Sequence, residues 1–192
     1  MRICVYCGSS PGRGKYGETA RLVGQTLAER GITVVYGGGR VGTMGALADG
    51  ALAAGGEVVG VIPQHLVDRE VGHQRLTELH VVTTLHERKA LMADLADAFL
   101  TLPGGAGTMD EMFESWTWSQ LGLHEKPIGL LDVGGYFQHL LRFVDHMIGE
   151  GFLKQRFRDI LVVDEELDRL LDRCVAYQPP SHTWADMSPP AP

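Results

Sequence analysis

Ala98-Phe99-Leu100-Thr101-Leu102-Pro103-Gly104-Gly105-Ala106-Gly107-Thr108 is the stretch that decides how this chain folds. Its short, largely apolar first half suits a strand buried on both faces. Pro103 and the glycines then stop that strand, and a helical period of apolar residues resumes from Thr108. A buried strand, a glycine turn and a helix together make one half of a parallel crossover unit.

The same unit recurs along the chain. Strands are expected over residues 3–6, 33–36, 58–62, 79–83, 98–102, 128–131 and 160–163. Helical patterns fall between them at 16–30, 42–54, 85–95, 108–122, 136–149 and 165–177. Short strands separated by helices predict an α/β fold, an open parallel sheet of about seven strands. Right-handed crossovers put helices on both of its faces. Residues 63–77 break the rhythm and read as a polar loop holding at most a short helix. Residues 179–192 carry five of the nine prolines and read as a disordered tail or partner-binding arm. One domain over residues 1–178 is expected.

Composition narrows the partners. With 192 residues, 44% of them hydrophobic, the chain can bury a substantial core. A formal charge of −7 argues against nucleic acid, whose phosphates need clustered Lys and Arg. Four lysines are present (Lys15, Lys89, Lys126, Lys154), so an anion site must rely on backbone amides, helix ends and a few arginines. No apolar run approaches the ~20 residues that span a bilayer, and the N-terminus does not resemble a secretion signal. A soluble, cytoplasmic protein without membrane contact is expected. Cys4, Cys7 and Cys174 form no disulfide framework. Cys4-x-x-Cys7 matches a redox motif in letters, but Cys4 lies within an apolar strand, which favours a structural role.

Ligands of open parallel sheets bind beyond the carboxyl ends of the strands. Four segments follow strands here: Cys7-Gly8-Ser9-Ser10-Pro11-Gly12, Gly37-Gly38-Gly39-Arg40-Val41-Gly42-Thr43, Thr84-Leu85-His86-Glu87-Arg88-Lys89, and Pro103 to Thr108. All four must share one edge of the sheet. Glycine lets the backbone approach a ligand closely, and the amides opening the next helix lack partners. A phosphate suits such a place. Tight turns alone would explain one such loop; two glycine-rich loops at one edge favour anion binding.

Several motif matches fail on chemistry. Gly37-x-Gly39-x-x-Gly42 fits the dinucleotide fingerprint, but the next strand ends Val61-Ile62-Pro63 with no acid for a ribose. Gly14-Lys15 lacks the spacing and the Ser or Thr of a P-loop. Gly8-x-Ser10-x-Gly12 imitates a nucleophile elbow, yet Pro11 has no amide for an oxyanion hole, so Ser10 is better read as a ligand donor or turn residue. The eight histidines show no metal-ligand spacing. No cofactor is expected.

Two charged residues look chemical. Arg88 falls within the apolar stripe of Leu85, Met92, Leu95 and Ala96, so it should point inward at the ligand edge; the alternative is a stem packed on the core with its head in water. Thr108-x-x-Glu111 has the spacing of a capping box, which gives Glu111 a structural reading. The glycine loop before it favours a functional one, a carboxylate one turn from a bound phosphate. Met109, Met112, Phe113 and Trp116 read as core.

Pro103-Gly104-Gly105-Ala106-Gly107-Thr108-Met109-Asp110-Glu111 resembles the PGGxGTxxE motif of the LOG ("Lonely guy") family, cytokinin riboside 5′-monophosphate phosphoribohydrolases often mislabelled lysine decarboxylases. Cys7 to Ser10, Tyr36 to Gly39 and His86 to Lys89 resemble that family's other signatures, in its order, and the likeness covers roughly residues 2–176. The resemblance implies a Rossmann-like fold, a homodimer, and cleavage of N6-modified AMP to free base and ribose 5-phosphate. It implies Arg88 and Glu111 as the catalytic pair, and Gly104, Gly105, Gly107 and Thr108 as the phosphate loop. Lys89, Glu70 and Thr117 match substrate contacts, and Ser10, Gly38 and Gly39 are expected beside the substrate. Leu85, Arg40 and Thr43 depart from the family pattern and leave the identity of the base open. Two rivals are a non-catalytic nucleotide or cofactor carrier with the same loops, and a pyridoxal-phosphate decarboxylase using Lys89.

Overall fold

The computed structural model describes residues 1–68 and 72–180. Seven short strands carry apolar residues on successive positions, because each must be covered on both faces. They are β1 (Arg2–Tyr6), β2 (Thr33–Tyr36), β3 (Val58–Pro63), β4 (Glu78–Val82), β5 (Ala98–Thr101), β6 (Ile128–Leu131) and β7 (Leu161–Asp164). All pair in parallel, in the order β4-β3-β2-β1-β5-β6-β7. Between them lie α1 (Tyr16–Glu29), α2 (Gly42–Ala53), α3 (Gln64–Val67), α4 (Leu85–Asp94), α5 (Ala106–Gln120), α6 (Gln138–Gly149), α7 (Gln155–Arg158) and α8 (Leu167–Val175).

The side-chain period of two divides the core. Ile3 and Val5 of β1 join Val34, Tyr36, Val23, Leu27, Leu47 and Leu170 on the face covered by α1, α2 and α8. Cys4 and Tyr6 point the other way, toward Val35, Met92, Met112, Trp116 and Val144 beneath α4, α5 and α6. The sequence-based fold class therefore holds, and no strand bound differs from expectation by more than one residue. The expected loop over 63–77 contains α3. The tail expected from residue 179 lies almost wholly outside the described residues.

Strand order fixes where a ligand can sit. The chain runs outward from β1 to β4, then returns to place β5 on the other side of β1. The loops leaving β1 and β5 diverge to opposite faces and open a crevice at the carboxyl edge.

α1 and α2 pack at close range because neither has a side chain at the crossing. A Cβ on Gly24 would lie 2.0 Å from the Leu47 carbonyl oxygen, and one on Gly50 2.1 Å from that of Arg21. Gly17, on the same α1, has nothing within 4 Å of its missing Cβ. Gly24→Ala is expected to destabilise the fold by about 1–3 kcal/mol through overpacking. Gly17→Ala is expected to stabilise it by about 0.5 kcal/mol by restricting the unfolded chain. Urea unfolding of the two variants checks the pair; equal effects would contradict the backbone contact.

Candidate active site

The loops after β1 and β2 are tied into one wall. The Gly8 amide donates to Thr43 Oγ1 (2.8 Å), and the same hydroxyl donates to the Gly8 carbonyl (3.0 Å). The Met44 amide also donates to Gly8 O at 3.1 Å. Gly42 sits at φ +63°, and a Cβ there would come within 2.3 Å of the Ser9 carbonyl carbon. Across the crevice, the Tyr136 hydroxyl donates to the Gly104 carbonyl at 2.6 Å and braces the loop after β5.

That loop differs from the sequence expectation in one respect that bears on chemistry. α5 starts at Ala106 with Gly105 as its cap, and no side chain caps it. The Thr108–Glu111 capping box is therefore not formed. Thr108 lies inside the first turn, and Glu111 is set free of any capping duty. The first intrahelical bond of α5 runs from the Met109 amide to the Gly105 carbonyl (3.1 Å). Amides before it have no helical acceptor and carry the positive end of the helix dipole. The capping box lies instead at α4, where Thr84 Oγ1 accepts from the Glu87 amide (3.1 Å) and Glu87 accepts from the amides of Thr83 (2.7 Å) and Thr84 (3.2 Å).

Anchored in this way, the first turn of α4 delivers Arg88 inward. Its side chain is 13% exposed, and Nη2 lies 3.3 Å from Glu111 Oε1, itself 11% exposed. Leu85 does not belong to the buried stripe as expected; it is 51% exposed. Arg88 Nε is buried without a partner. Burial pushes the Glu111 carboxyl up to about 7; Arg88 opposes this, Asp110 adds to it, Lys89 opposes it and Glu114 adds to it.

Both residues line a cleft of about 380 Å³. Gly105, Ala106, Gly107 and Thr108 form its amide-rich side, and Val41, Met44, Ile62 and Leu66 its apolar side. Cys7, Gly8, Ser9, Gly37 and Gly39 complete it. An annex of about 170 Å³ shares Gly8, Ser9 and Gly105 and reaches Ser10, Gly104, Tyr16 and Tyr136.

The structure thus gathers Arg88, Glu111, Gly39, Gly105, Gly107 and Thr108 around one cleft, with Ser10 and Gly104 in the annex. Others fall elsewhere. Gly38 lines neither cavity; at φ +72° it offers its carbonyl to the His73 amide (2.9 Å). Lys89 turns away into ion pairs with Asp110 (3.0 Å) and Glu114 (2.8 Å). Its ammonium is held above the usual lysine range, burial pulling it down but the hydrogen bonds of Glu114 and Asp110 prevailing. Thr117 is exposed two turns beyond Glu111 and donates to the Phe113 carbonyl (2.7 Å). Glu70 lies outside the described residues.

Met44, Ile62 and Leu66 escaped sequence reasoning, and Gly37 was read only as part of its glycine loop. Ile62 sits where the dinucleotide fingerprint wants an acid, and that failed match marked a cleft position. Cys4 and Cys7 are buried free thiols. Burial raises Cys4 well above its usual range and Cys7 to about 12, which agrees with a structural role. Among the described residues no His, Cys, Asp and Glu cluster to hold a metal ion, and no helix is long and apolar enough to cross a membrane.

The chain is similar to known proteins over most of its length. The family model described as "possible lysine decarboxylase" matches residues 44–174. The cytokinin riboside 5′-monophosphate phosphoribohydrolase of Rhodococcoides fascians is 49% identical over 168 residues, covering 86% of this chain and 85% of that one. A probable enzyme of the same name from Oryza sativa subsp. japonica is 47% identical over 182 residues, covering 94% and 74%. One from Arabidopsis thaliana, named LOG7, is 46% identical over 179 residues, covering 93% and 82%. The structure of the molybdenum cofactor carrier protein of Chlamydomonas reinhardtii superposes with a TM-score of 0.67 over 92% of this chain and 98% of that one, at 19% identity, a likeness of fold. With near-half identity across nearly its whole length, the chain belongs to the LOG family.

Proposed function

We propose that the protein hydrolyses the N-glycosidic bond of N6-modified adenosine 5′-monophosphate, giving free base and ribose 5-phosphate. The observation that carries this is a buried Arg88–Glu111 pair within one turn of the unpaired amides that open α5. Those amides and the helix dipole suit a phosphate dianion. The apolar side formed by Met44, Ile62 and Leu66 suits the flat face of a base. The ribose then lies between, against Glu111.

Cleavage breaks the bond from C1′ to the base nitrogen, and the electron pair leaves with the base. Water oxygen bonds to C1′, and its proton ends on the departing base. Positive charge develops on the ribose as in glycosidases, so an ionised Glu111 beside it stabilises the transition state more than the ground state. Arg88 aligns the substrate and meets negative charge developing on the base. Phosphate binding at α5 supplies energy remote from C1′ that holds this alignment.

The rivals have less support. Lys89, the lysine of the decarboxylase reading, lies between two carboxylates and outside the cleft lining. A carrier needs no buried acid with a raised pKa in its pocket, whereas a catalyst uses one. We also infer a cytoplasmic homodimer built from one domain over residues 1–178. One continuous sheet supports the single domain, and exposed Leu123 (69%) and Phe152 (87%) support burial against a second copy.

Incubation with a panel of nucleoside monophosphates should release free base, most from N6-modified AMP, and none from the matching nucleosides without phosphate. Retained nucleotide without base release would instead make the protein a carrier. Glu111→Gln is expected to lose about a hundredfold or more in kcat, since it keeps the shape and removes the charge. The wild-type kcat/KM should fall about tenfold for each pH unit below 7, because that quantity reports ionisations of free enzyme, among them Glu111. The same shift makes a stability statement. A carboxyl raised from 4.5 to about 7 on folding contributes stability that is present below the unfolded value and lost as pH rises through 7. Glu111→Gln should therefore be more stable than wild type at pH 8, by on the order of 3 kcal/mol, and the gap should close by about pH 4. Thermal melts at both pH values check it. Sedimentation should give twice the 20.9 kDa chain mass.

A further inference from the structure

Gly37 has an ordinary negative φ, so backbone conformation gives no reason for glycine there. Space does. A Cβ on Gly37 would lie 1.8 Å from Arg88 Nη2, 2.9 Å from its Cζ and 3.3 Å from Met44 Sδ. The guanidinium occupies the volume that any other residue's side chain would fill. The other cleft glycines differ. A Cβ on Gly105 or Gly107 would meet nothing within 4 Å, one on Gly39 would come nearest the Met44 side chain, and one on Gly8 nearest the Ser10 carbonyl oxygen at 3.2 Å.

We infer that Gly37 is a positioning residue for the reaction: its bare backbone is the seat that holds the Arg88 guanidinium beside Glu111. Three constraints meet at that group. The Thr84–Glu87 capping box fixes the turn from which Arg88 springs. Glu111 Oε1 holds Nη2 at 3.3 Å. Gly37 closes a further side, against Nη2 and Cζ, while among the described residues Nε has no hydrogen-bond partner to fix the plane of the group. Two polar constraints leave a long side chain free to rotate about their line, and the backbone seat removes that freedom.

The atom in conflict is the far end of a flexible side chain, not backbone. Gly37→Ala therefore leaves the fold intact and displaces the guanidinium. The role rests on the proposed glycosidic hydrolysis, and its test separates the two. The four proteins are wild type, Gly37→Ala, Arg88→Ala and the double variant, assayed for base release from N6-modified AMP across pH. Gly37→Ala should lose about a hundredfold in kcat/KM, the effect of misplacing a catalytic group by an ångström. In the Arg88→Ala background, where the seat is empty, the same change should cost no more than about twofold. A general disturbance of the β2 loop would cost the same factor in both backgrounds and would overturn the role.

Carboxyl carbon NMR of Glu111 gives a readout that needs no turnover. Arg88 holds that carboxyl down, so Gly37→Ala should move its midpoint up while wild type and Arg88→Ala bracket it. Should wild type release no base, the hydrolytic reading fails while this titration still judges the seat. An unmoved midpoint together with wild-type kcat/KM in Gly37→Ala would refute it.

Discussion

One buried contact, between the guanidinium of Arg88 and the carboxylate of Glu111, constrains the rest of this structure. Both groups are largely buried, and they meet in an ion-pair contact of 3.3 Å. An ion pair this sparsely bonded gains little in the interior and costs desolvation on both sides. Its geometry must therefore come from elsewhere. α4 is anchored by a capping box one residue before Arg88, and α5 begins early enough to put Glu111 inside its second turn. Both helices pack on the same sheet face through Met92, Met112 and Trp116. The pair is held together by the core beneath it more than by its own attraction.

Charge economy explains the surrounding loops. A protein of net charge −7 with few lysines cannot gather anions with a cationic patch. The oriented amides that open α5 offer an anion the same attraction without a counter-ion and are already in place. The strand order makes this available, because β1 and β5 leave the sheet in opposite directions and open the crevice at the start of α5. Lys89, adjacent in sequence to Arg88, is neutralised by Asp110 and Glu114 on the outer side of α5. Among the described residues, the cleft's lining thus holds one basic side chain, Arg88, and one acidic one, Glu111.

How much of this was legible in the sequence follows from the range of the interactions involved. Strands β2 and β6 have the expected bounds because burial on both faces imposes a local, continuous pattern. The start of α5 was misplaced by two residues because Thr108 and Glu111 satisfy the letters of a capping box. Gly105, which closes that end without a side chain, leaves no polar signature. The box that does form, Thr84 with Glu87, has the same spacing and was equally readable. Arg88 was legible as an anomaly in a stripe, although Leu85, which helped define that stripe, is exposed. Lys89 and Thr117 were assigned by motif, and a motif carries no information about which way consecutive side chains turn. Gly37 was legible only as one glycine among several, because what distinguishes it is an atom 51 residues away in the chain (88 − 37).

A site of this kind is a cost borne by the fold. Arg88 can donate five hydrogen bonds, yet it makes one contact with Glu111 and leaves Nε unpaired. Glu111 prefers to hold a proton near neutral pH because burial outweighs its cationic neighbour. The proposed substrate would relieve both deficits at once, with a sugar hydroxyl or cationic ribose for the carboxylate and an acceptor on the base or phosphate for the guanidinium. Strain that a ligand relieves is binding energy directed at the reacting centre, and relief that grows as charge develops on the ribose is catalysis. A better-bonded pair would make a more stable protein and a poorer enzyme, because its charges would already be spent on each other.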